Sequence, residues 1–377
     1  METASKQAME FSVSRSDLVR ELGLTQGVVE KKTTIPILSN ILIETDSDQV
    51  WLTATDLELG IRCACPARVK REGAGTIPAR RLLDYVRLLP DADVQVKIQE
   101  NHWASLVCGR SRTRIAGMSR ESFPELPQMP GELAKLSLAT VAQMIERTIF
   151  AISAEESRFT LNGALLLLKS DGLVMVATDG HRLAMIERAA ELEVEGSYKA
   201  LLPKKAMLEI LKLAAEGEEK EIEFAGNENH LFFHLDKRLL LSRKLTGNFP
   251  DYERVLPKEH AYSVAIGRDD FRSALERVSQ FSDERSRAVR LQIVPGEVRV
   301  HSSISETGES EETIPVEYDG PETEIGFNAQ YLLDFLKAAG QPEIEFYFKD
   351  GNSAGELRPK DDAEGVNYRY VVMPMRI

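Results

Sequence analysis

Apolar and polar positions along this chain follow a long repeat, and the repeat predicts its architecture. A short alternating strand running into an amphipathic helix occurs three times. It is Phe11-Ser12-Val13 before SRSDLVREL, Leu136-Ser137-Leu138 before ATVAQMIERT, and Tyr262-Ser263-Val264 before GRDDFRSALERV, at spacings of 125 and 126. In the third copy Phe271, Leu275 and Val278 stand at i, i+4 and i+7, one apolar face of a helix. A strand pair follows each time: NILIETDSDQVWLTATD at 40–56, LNGALLLLKSDGLVMVATD at 161–179 and VRLQIVPGEVRVHSS at 289–303. Turn-forming Asp, Ser, Gly and Pro separate the apolar runs.

A second helix closes each copy: IPARRLLDYVRLL, LPKKAMLEILKLA and FNAQYLLDFLKAA, spaced by 125 and 125. Pro78, Pro203 and Asn328 open them, residues suited to a first turn or a cap. Leu83 and Val86, Leu208 and Leu211, and Leu333 and Leu336 are the matching expected core positions. The reading is α+β: three repeated modules, each of two helices and about eight short antiparallel strands. Phe-Pro connections at 123–132 and 249–260 set the expected boundaries. The domains are 1–129 (with a loose N-terminal extension of about nine residues), 130–257 and 258–377.

Composition then narrows the function. At 43% hydrophobic and 28% charged, the 377 residues are those of an ordinary globular chain. No apolar stretch is long enough to span a membrane, and METASKQAMEF does not resemble a secretory leader, so a cytoplasmic location is expected. A net charge of −13 argues against gripping nucleic acid over the whole surface, yet leaves room for local basic rows. Cys63, Cys65 and Cys108 do not make a disulfide framework, and Cys63-x-Cys65 is read as alternating strand positions rather than a metal site. No GxxxxGK[ST], HExxH, GxSxG or CxxC is present, so no catalytic residue, cofactor or metal is expected.

The segments TTIPILSNILIET, LTATDLELGIR, TIPARRLLDYVRLLP, SFPELP, VATDGHRLA, FPDYERVLP and YRYVVMPMRI resemble the bacterial DNA polymerase β sliding clamp, in order and over nearly the whole chain. The resemblance implies a head-to-tail homodimer closing a six-domain ring, with helices lining the hole and sheets outside. It implies a processivity factor, not an enzyme, that encircles double-stranded DNA without sequence preference. The implied partners are the replicative polymerase catalytic subunit, the clamp loader, and translesion polymerases and mismatch-repair proteins that carry short linear peptides. No membrane is implied.

The second helices carry a matching polar row: Arg80, Asp84 and Arg87; Lys205, Glu209 and Lys212; and Gln330, Asp334 and Lys337. Read alone, such a row is a solvated face held by i,i+4 pairs. Under the resemblance it faces the duplex, together with Arg81, Lys204, Lys32 and Arg158. Dilute basic charge suits weak, sliding contact, since affinity climbs steeply with each phosphate neutralised. The resemblance also implies a peptide cleft built from Leu161, Thr178, Gly180, His181, Arg182, Leu183, Pro250, Arg254, Val255, Val371, Met373, Pro374, Met375 and Arg376. Arg182 and Arg254 are expected to meet polar parts of the peptide. On the residues alone, VVMPM is more often a core strand than a groove. Asp179 and His181 could be a catalytic pair, although Thr55-Asp56-Leu57, the same place in the first copy, lacks the His and favours a turn.

Alternating Arg110, Arg112 and Arg114 project from one side of a strand. Read alone, such a row protects an edge strand by charge; the sharper expectation is a partner in Glu306, Glu309, Glu311 and Glu312 of a second subunit, with Ile115 against Phe281 as apolar support. The rival readings are a hydrolase or transferase of repeated α+β domains, and a scaffold that binds proteins but not DNA.

Overall fold

The computed structural model describes residues 9–30, 34–194, 196–216, 220–304 and 308–376. The first sequence copy supplies β1 (Met9–Ser14), α1 (Arg15–Thr25), β2 (Asn40–Asp46), β3 (Gln49–Thr55), β4 (Leu59–Arg71), β5 (Gly73–Pro78), α2 (Ala79–Arg87), β6 (Asp93–Ile98), β7 (Trp103–Cys108) and β8 (Ser111–Ala116). The second supplies β9 (Ala134–Ser137), α3 (Leu138–Glu146), β10 (Gly163–Lys169), β11 (Gly172–Thr178), β12 (Arg182–Ala189), β13 (Ser197–Pro203), α4 (Lys204–Glu216), β14 (Glu221–Gly226), β15 (His230–Leu235) and β16 (Arg238–Arg243). The third supplies β17 (Tyr262–Gly267), α5 (Arg268–Val278), β18 (Ala288–Val294), β19 (Glu297–Ile304), β20 (Gly308–Pro315), β21 (Thr323–Asn328), α6 (Ala329–Ala338), β22 (Glu343–Phe348), β23 (Gly355–Pro359) and β24 (Val366–Val372). Every copy thus has the same order of two helices and eight strands among the described residues.

The copies share sheets. One compact unit comprises Met1–Ala139 and Lys205–Lys244, and the other Thr140–Lys204 and Leu245–Ile377. In the first unit the strands run β8-β7-β6-β1-β4-β16-β15-β14-β9, so β4 of the first copy pairs antiparallel with β16 of the second. In the second unit the run is β13-β10-β11-β12-β24-β23-β22-β17, so β12 pairs with β24 of the third copy. A separate sheet, β20-β19-β18-β21, completes that unit. Within each unit, backbone hydrogen bonds therefore cross from copy to copy in the same way: the fourth strand of one, β4 or β12, meets the last strand of the next.

The helices form where the pattern places them, with one change of register and one of face. The second helices begin at Ala79, Lys204 and Ala329, keeping the spacings of 125 and 125. The first helices begin at Arg15, Leu138 and Arg268, within one residue of the expected segments, but they and the strands before them repeat at 123 and 130 rather than at the 125 and 126 of the expected strand match. Burial confirms the shift, because Phe11 and Val13 match Ala134 and Leu136, then Val264 and Ile266. A three-residue x-Ser-x string was too short to fix alignment when either neighbouring pair alternates equally well.

In α4 the apolar stripe is Ala206, Met207, Ile210 and Leu213, while Leu208 is 44% exposed and Leu211 half-buried. The expected core pair Leu208 and Leu211 is thus corrected. The helix turns about its axis relative to α2, which buries Leu82, Leu83 and Val86, and this carries Glu209 inward to 3% exposure.

Caps follow local chemistry. The Ser14 hydroxyl accepts from the Asp17 amide, and the Asn328 side chain accepts from the amides of Gln330 and Tyr331. Leu18 and Leu22 of α1 and Leu82, Leu83 and Val86 of α2 share one core with β1–β8. In the second unit Phe335 of α6 stacks on Tyr370 of β24 at 5.1 Å, and Phe327 meets Phe346 edge-on at 5.9 Å.

Candidate functional site

Two equivalent turns explain the Thr-Asp motifs. The Thr55 hydroxyl donates to Leu59 O at 2.9 Å, and Asp56 Oδ1 accepts from the amides of Glu58 and Leu59. The Thr178 hydroxyl donates to Arg182 O at 2.6 Å, and Asp179 Oδ1 accepts from the amides of His181 and Arg182. Leu57 and Gly180 hold the same place at φ 78° and 90°. Asp179 is an Asx-type turn former, and the catalytic Asp–His alternative has no geometric support.

Each turn is tethered to a second helix, with the charges reversed. Asp56 accepts from Lys205 of α4. Arg182 donates from Nη1 to Asp334 of α6 at 2.7 Å, from Nε to Asp179 at 3.0 Å and from Nη2 to Phe150 O at 2.6 Å. Its guanidinium lies 4.3 Å over the Tyr331 ring, and its side chain is 9% exposed. Burial works against its charge, but Tyr370, Asp334 and Asp179 outweigh that and hold it above the ordinary arginine value. Arg182 is therefore an internal clamp. The expectation that it meets a peptide is corrected: all its donors point into the protein.

The remaining cleft residues divide into floor and rim within the second unit. Leu183 and Val371 are buried in one apolar cluster with Phe249, Val176 and Leu165, and half-buried Leu161 packs on it. Thr178 is also buried. These form a floor, paired across β12 and β24 as Leu183 opposite Val371. The rim is exposed: Val255 at 43%, Met373 at 47%, and exposed His181, Gly180, Pro250, Arg254 and Arg376. Met373 N donates to His181 O at 2.9 Å, seating the C-terminal segment against the turn. Met375 N donates to Gly326 O at 2.8 Å, with Pro374 and Met375 half-buried. Arg254 is exposed and forms an ion pair with Asp251 at 2.8 Å. Sequence reading missed Phe159, which is 71% exposed two residues before Leu161.

Several basic candidates are partly spent. Lys32 lies outside the described residues. Arg158 donates to Asp179 O at 2.8 Å and pairs with Glu155 at 2.8 Å, so it braces the turn. Lys205 is bound to Asp56, and Lys212 to buried Glu209 at 2.7 Å. Arg80, Arg81 and Arg87 project from α2, with Arg80 3.8 Å from Asp84. Lys204 and Lys337 are exposed.

The two charged edges are real strands, β8 and β20, each at the end of its sheet. Arg112 and Arg114 alternate outward on β8, whereas Arg110 sits in the preceding turn. Ile115 is 3% exposed and belongs to the core with β1–β7, which corrects its expected apolar contact with Phe281; Phe281 is 37% exposed. Glu309 and Glu311 are exposed on β20, and Glu312 is held by Arg277 of α5. Glu306 lies outside the described residues.

Burial raises the Cys63 thiol well above its ordinary value and the Cys65 thiol to about 12. Both are fully buried, so the Cys-x-Cys strand presents protonated thiols to the core rather than thiolate ligands.

Three modules with paired sheets, an apolar floor with an exposed rim at the turn and tail, and no catalytic constellation among the described residues have the architecture of a DNA clamp. Models of the DNA polymerase III beta subunit match its N-terminal domain at residues 9–127, its central domain at 135–251 and its C-terminal domain at 253–376. A beta sliding clamp of Pseudomonas aeruginosa is 36% identical over 376 residues, covering 98% of this chain and 100% of its own length. One of Chlamydia pneumoniae is 33% identical, covering 98% and 99%. The crystal structure of the DNA polymerase III subunit beta from Pseudomonas aeruginosa superposes with a TM-score of 0.92 at 34% identity, over 98% of this chain and 100% of that one. The chain belongs to the DNA polymerase III beta subunit family, the beta sliding clamps. Its class is that of a processivity factor rather than an enzyme.

Proposed function

We propose that this chain closes head-to-tail with a second copy into a six-domain ring around duplex DNA and tethers polymerases there. The observation that carries the ring is the repeated joint: β4 meets β16, and β12 meets β24. By the same rule β20 of the third copy lacks its mate and β8 of the first lacks its own, so β20 pairs with β8 of the partner copy. The arginines on β8 and glutamates on β20 favour this pairing over either edge with itself. The domains then divide at 129/130 and 257/258.

The second helices face the duplex in this reading. Arg80, Arg81 and Arg87 carry the contact, supported by Lys204 and Lys337. Lys205, Lys212 and Arg158 contribute less because carboxylates or the turn already engage them. Few phosphates are neutralised, so retention is topological and the duplex can slide. Partners dock short linear peptides on the rim of Val255, Pro250, His181 and Met373 above the Leu183–Val371 floor. Met and Val offer an adaptable apolar surface, and Arg254 meets acidic peptide groups. The replicative polymerase catalytic subunit, clamp loader, translesion polymerases and mismatch-repair proteins are the expected users, in the cytoplasm.

Loading onto nicked circular DNA, then linearising it, tests the reading. The protein is expected to stay on the circle and run off the linear form; equal escape from both refutes it.

A further inference from the structure

The cleft's two rims come from distant parts of the chain, and one buried carboxylate ties them together. Glu356 of β23 is fully buried, directly opposite Val371 of β24. Its Oε1 accepts from Arg369 Nε at 2.5 Å and from Arg358 Nε at 2.7 Å, and its Oε2 accepts from Arg369 Nη2 at 2.8 Å. The same Arg369 Nη2 donates to Pro257 O at 2.9 Å. His260 Nε2 lies 2.9 Å from Glu356 Oε2, with its ring 5.0 Å from Tyr347.

Consider what those partners hold. Pro257 and His260 end the connector that carries Pro250, Arg254 and Val255, one rim of the cleft. Arg369 lies two residues before Val371 and four before Met373, the floor and other rim. Along the connector, Phe249, Tyr252 and Leu256 supply apolar anchoring, which sets depth but not position along the groove. The directional bonds at its far end, through Arg369, fix position. Burial alone would raise the Glu356 carboxyl, yet Arg369 and Arg358 hold it below its ordinary value, so it is charged and both arginines are oriented by it.

We propose that Glu356, acting through Arg369, is a positioning residue for the peptide cleft: it sets the spacing between the Val255 rim and the Met373 rim. This rests on the cleft reading above. Glu356 touches no peptide in it.

The test uses the full-length protein and the same organism's replicative polymerase catalytic subunit, immobilised for binding measurements. The variants are Glu356→Gln, Arg369→Lys and, as a control on the rim, Met373→Asp. Arg369→Lys keeps the buried charge pair but cannot hold the carboxylate and reach Pro257 together, which covers the case in which Glu356→Gln does not fold. Expected are polymerase affinities roughly three- to tenfold weaker for both variants, through lost preorganisation. Amide exchange should quicken at Val255 and Leu256, whose N–H groups donate to Tyr252 O, with subunit mass and retention on circular DNA unchanged. Affinities within about twofold of the parent, or exchange quickened throughout β17–β24 alike, overturn the proposal. If Met373→Asp also binds normally, the cleft reading itself fails and the positioning role falls with it.

Discussion

At the scale of single residues, buried charges satisfy one another across long sequence distances. Arg182 and Asp334 are 152 positions apart, and Glu21 and Arg238 are 217 apart. Removing one partner leaves the other stranded in low dielectric. Arg182→Met is therefore expected to cost about 3–5 kcal/mol in urea unfolding, and adding Asp334→Leu should recover part of it.

Glu21 gives a pH signature. Burial raises its carboxyl, but Arg238 and Arg20 prevail and hold it below 4.5. A depressed folded value means its stabilisation is complete above the unfolded value and is lost as pH falls through the folded one. The stability gap between parent and Glu21→Gln should thus be full at neutral pH and close progressively below 4.5, measured by denaturant titration at each pH. These pairs were not legible in the sequence, because ion-pair partners far apart leave no spacing rule. The one available hint is a charged residue interrupting an apolar run, as Arg369 does in YRYVV and Arg182 does in DGHRLAMI.

At the scale of elements, the sequence was informative where apolar periodicity is long and weak where it is short. The three second helices were placed correctly because several apolar positions and a starting Pro or Asn agreed in each. The first helices were placed within one residue, but the strands before them align two and four residues away from the expected match, because a strand of period two aligns with itself at every even shift. The face of α4 was misread for a different reason. KKAMLEILKLA offers two overlapping apolar stripes, and only tertiary packing selects Met207–Ile210 over Leu208–Leu211.

Two substitutions check this. Leu208→Lys should alter stability by no more than about 0.5 kcal/mol, whereas the equivalent Leu83→Lys should be severely destabilising; thermal melts of both would tell. A Cβ at Gly163 would fall 2.2 Å from Leu202 O, on the backbone of the paired strand β13. Gly163→Ala should therefore cost about 1–3 kcal/mol, read by the same melts.

At the scale of the whole molecule, the proposed function rests on edges and topology as much as on the cleft. The repeat and the absence of catalytic motifs were readable directly. Closure and the cleft came from family resemblance, and the structure adds two seams within the chain, β4–β16 and β12–β24, on which the proposed β8–β20 seam between copies is patterned. If β8 and β20 are complementary edges, reversing Arg110 and Arg112 to Glu should halve the solution mass measured by light scattering. An unaltered dimer would remove these arginines from the interface. Because those charges are exposed, the dimer should also weaken as salt rises.

The shared joint has one more consequence. Since β4–β16 and β12–β24 use the same mating rule, the rule does not record where one polypeptide stops and the next begins. A chain trimmed after its second module would end with β12 as one open edge and β8 as the other, the same backbone geometry, but β12 carries two arginines and a single glutamate where β20 carries a row of glutamates. Three such chains would bring the six modules that two full chains bring to the proposed ring, so the seam's backbone fits either subunit number, and it is the charge written on β8 and β20 that favours the longer chain.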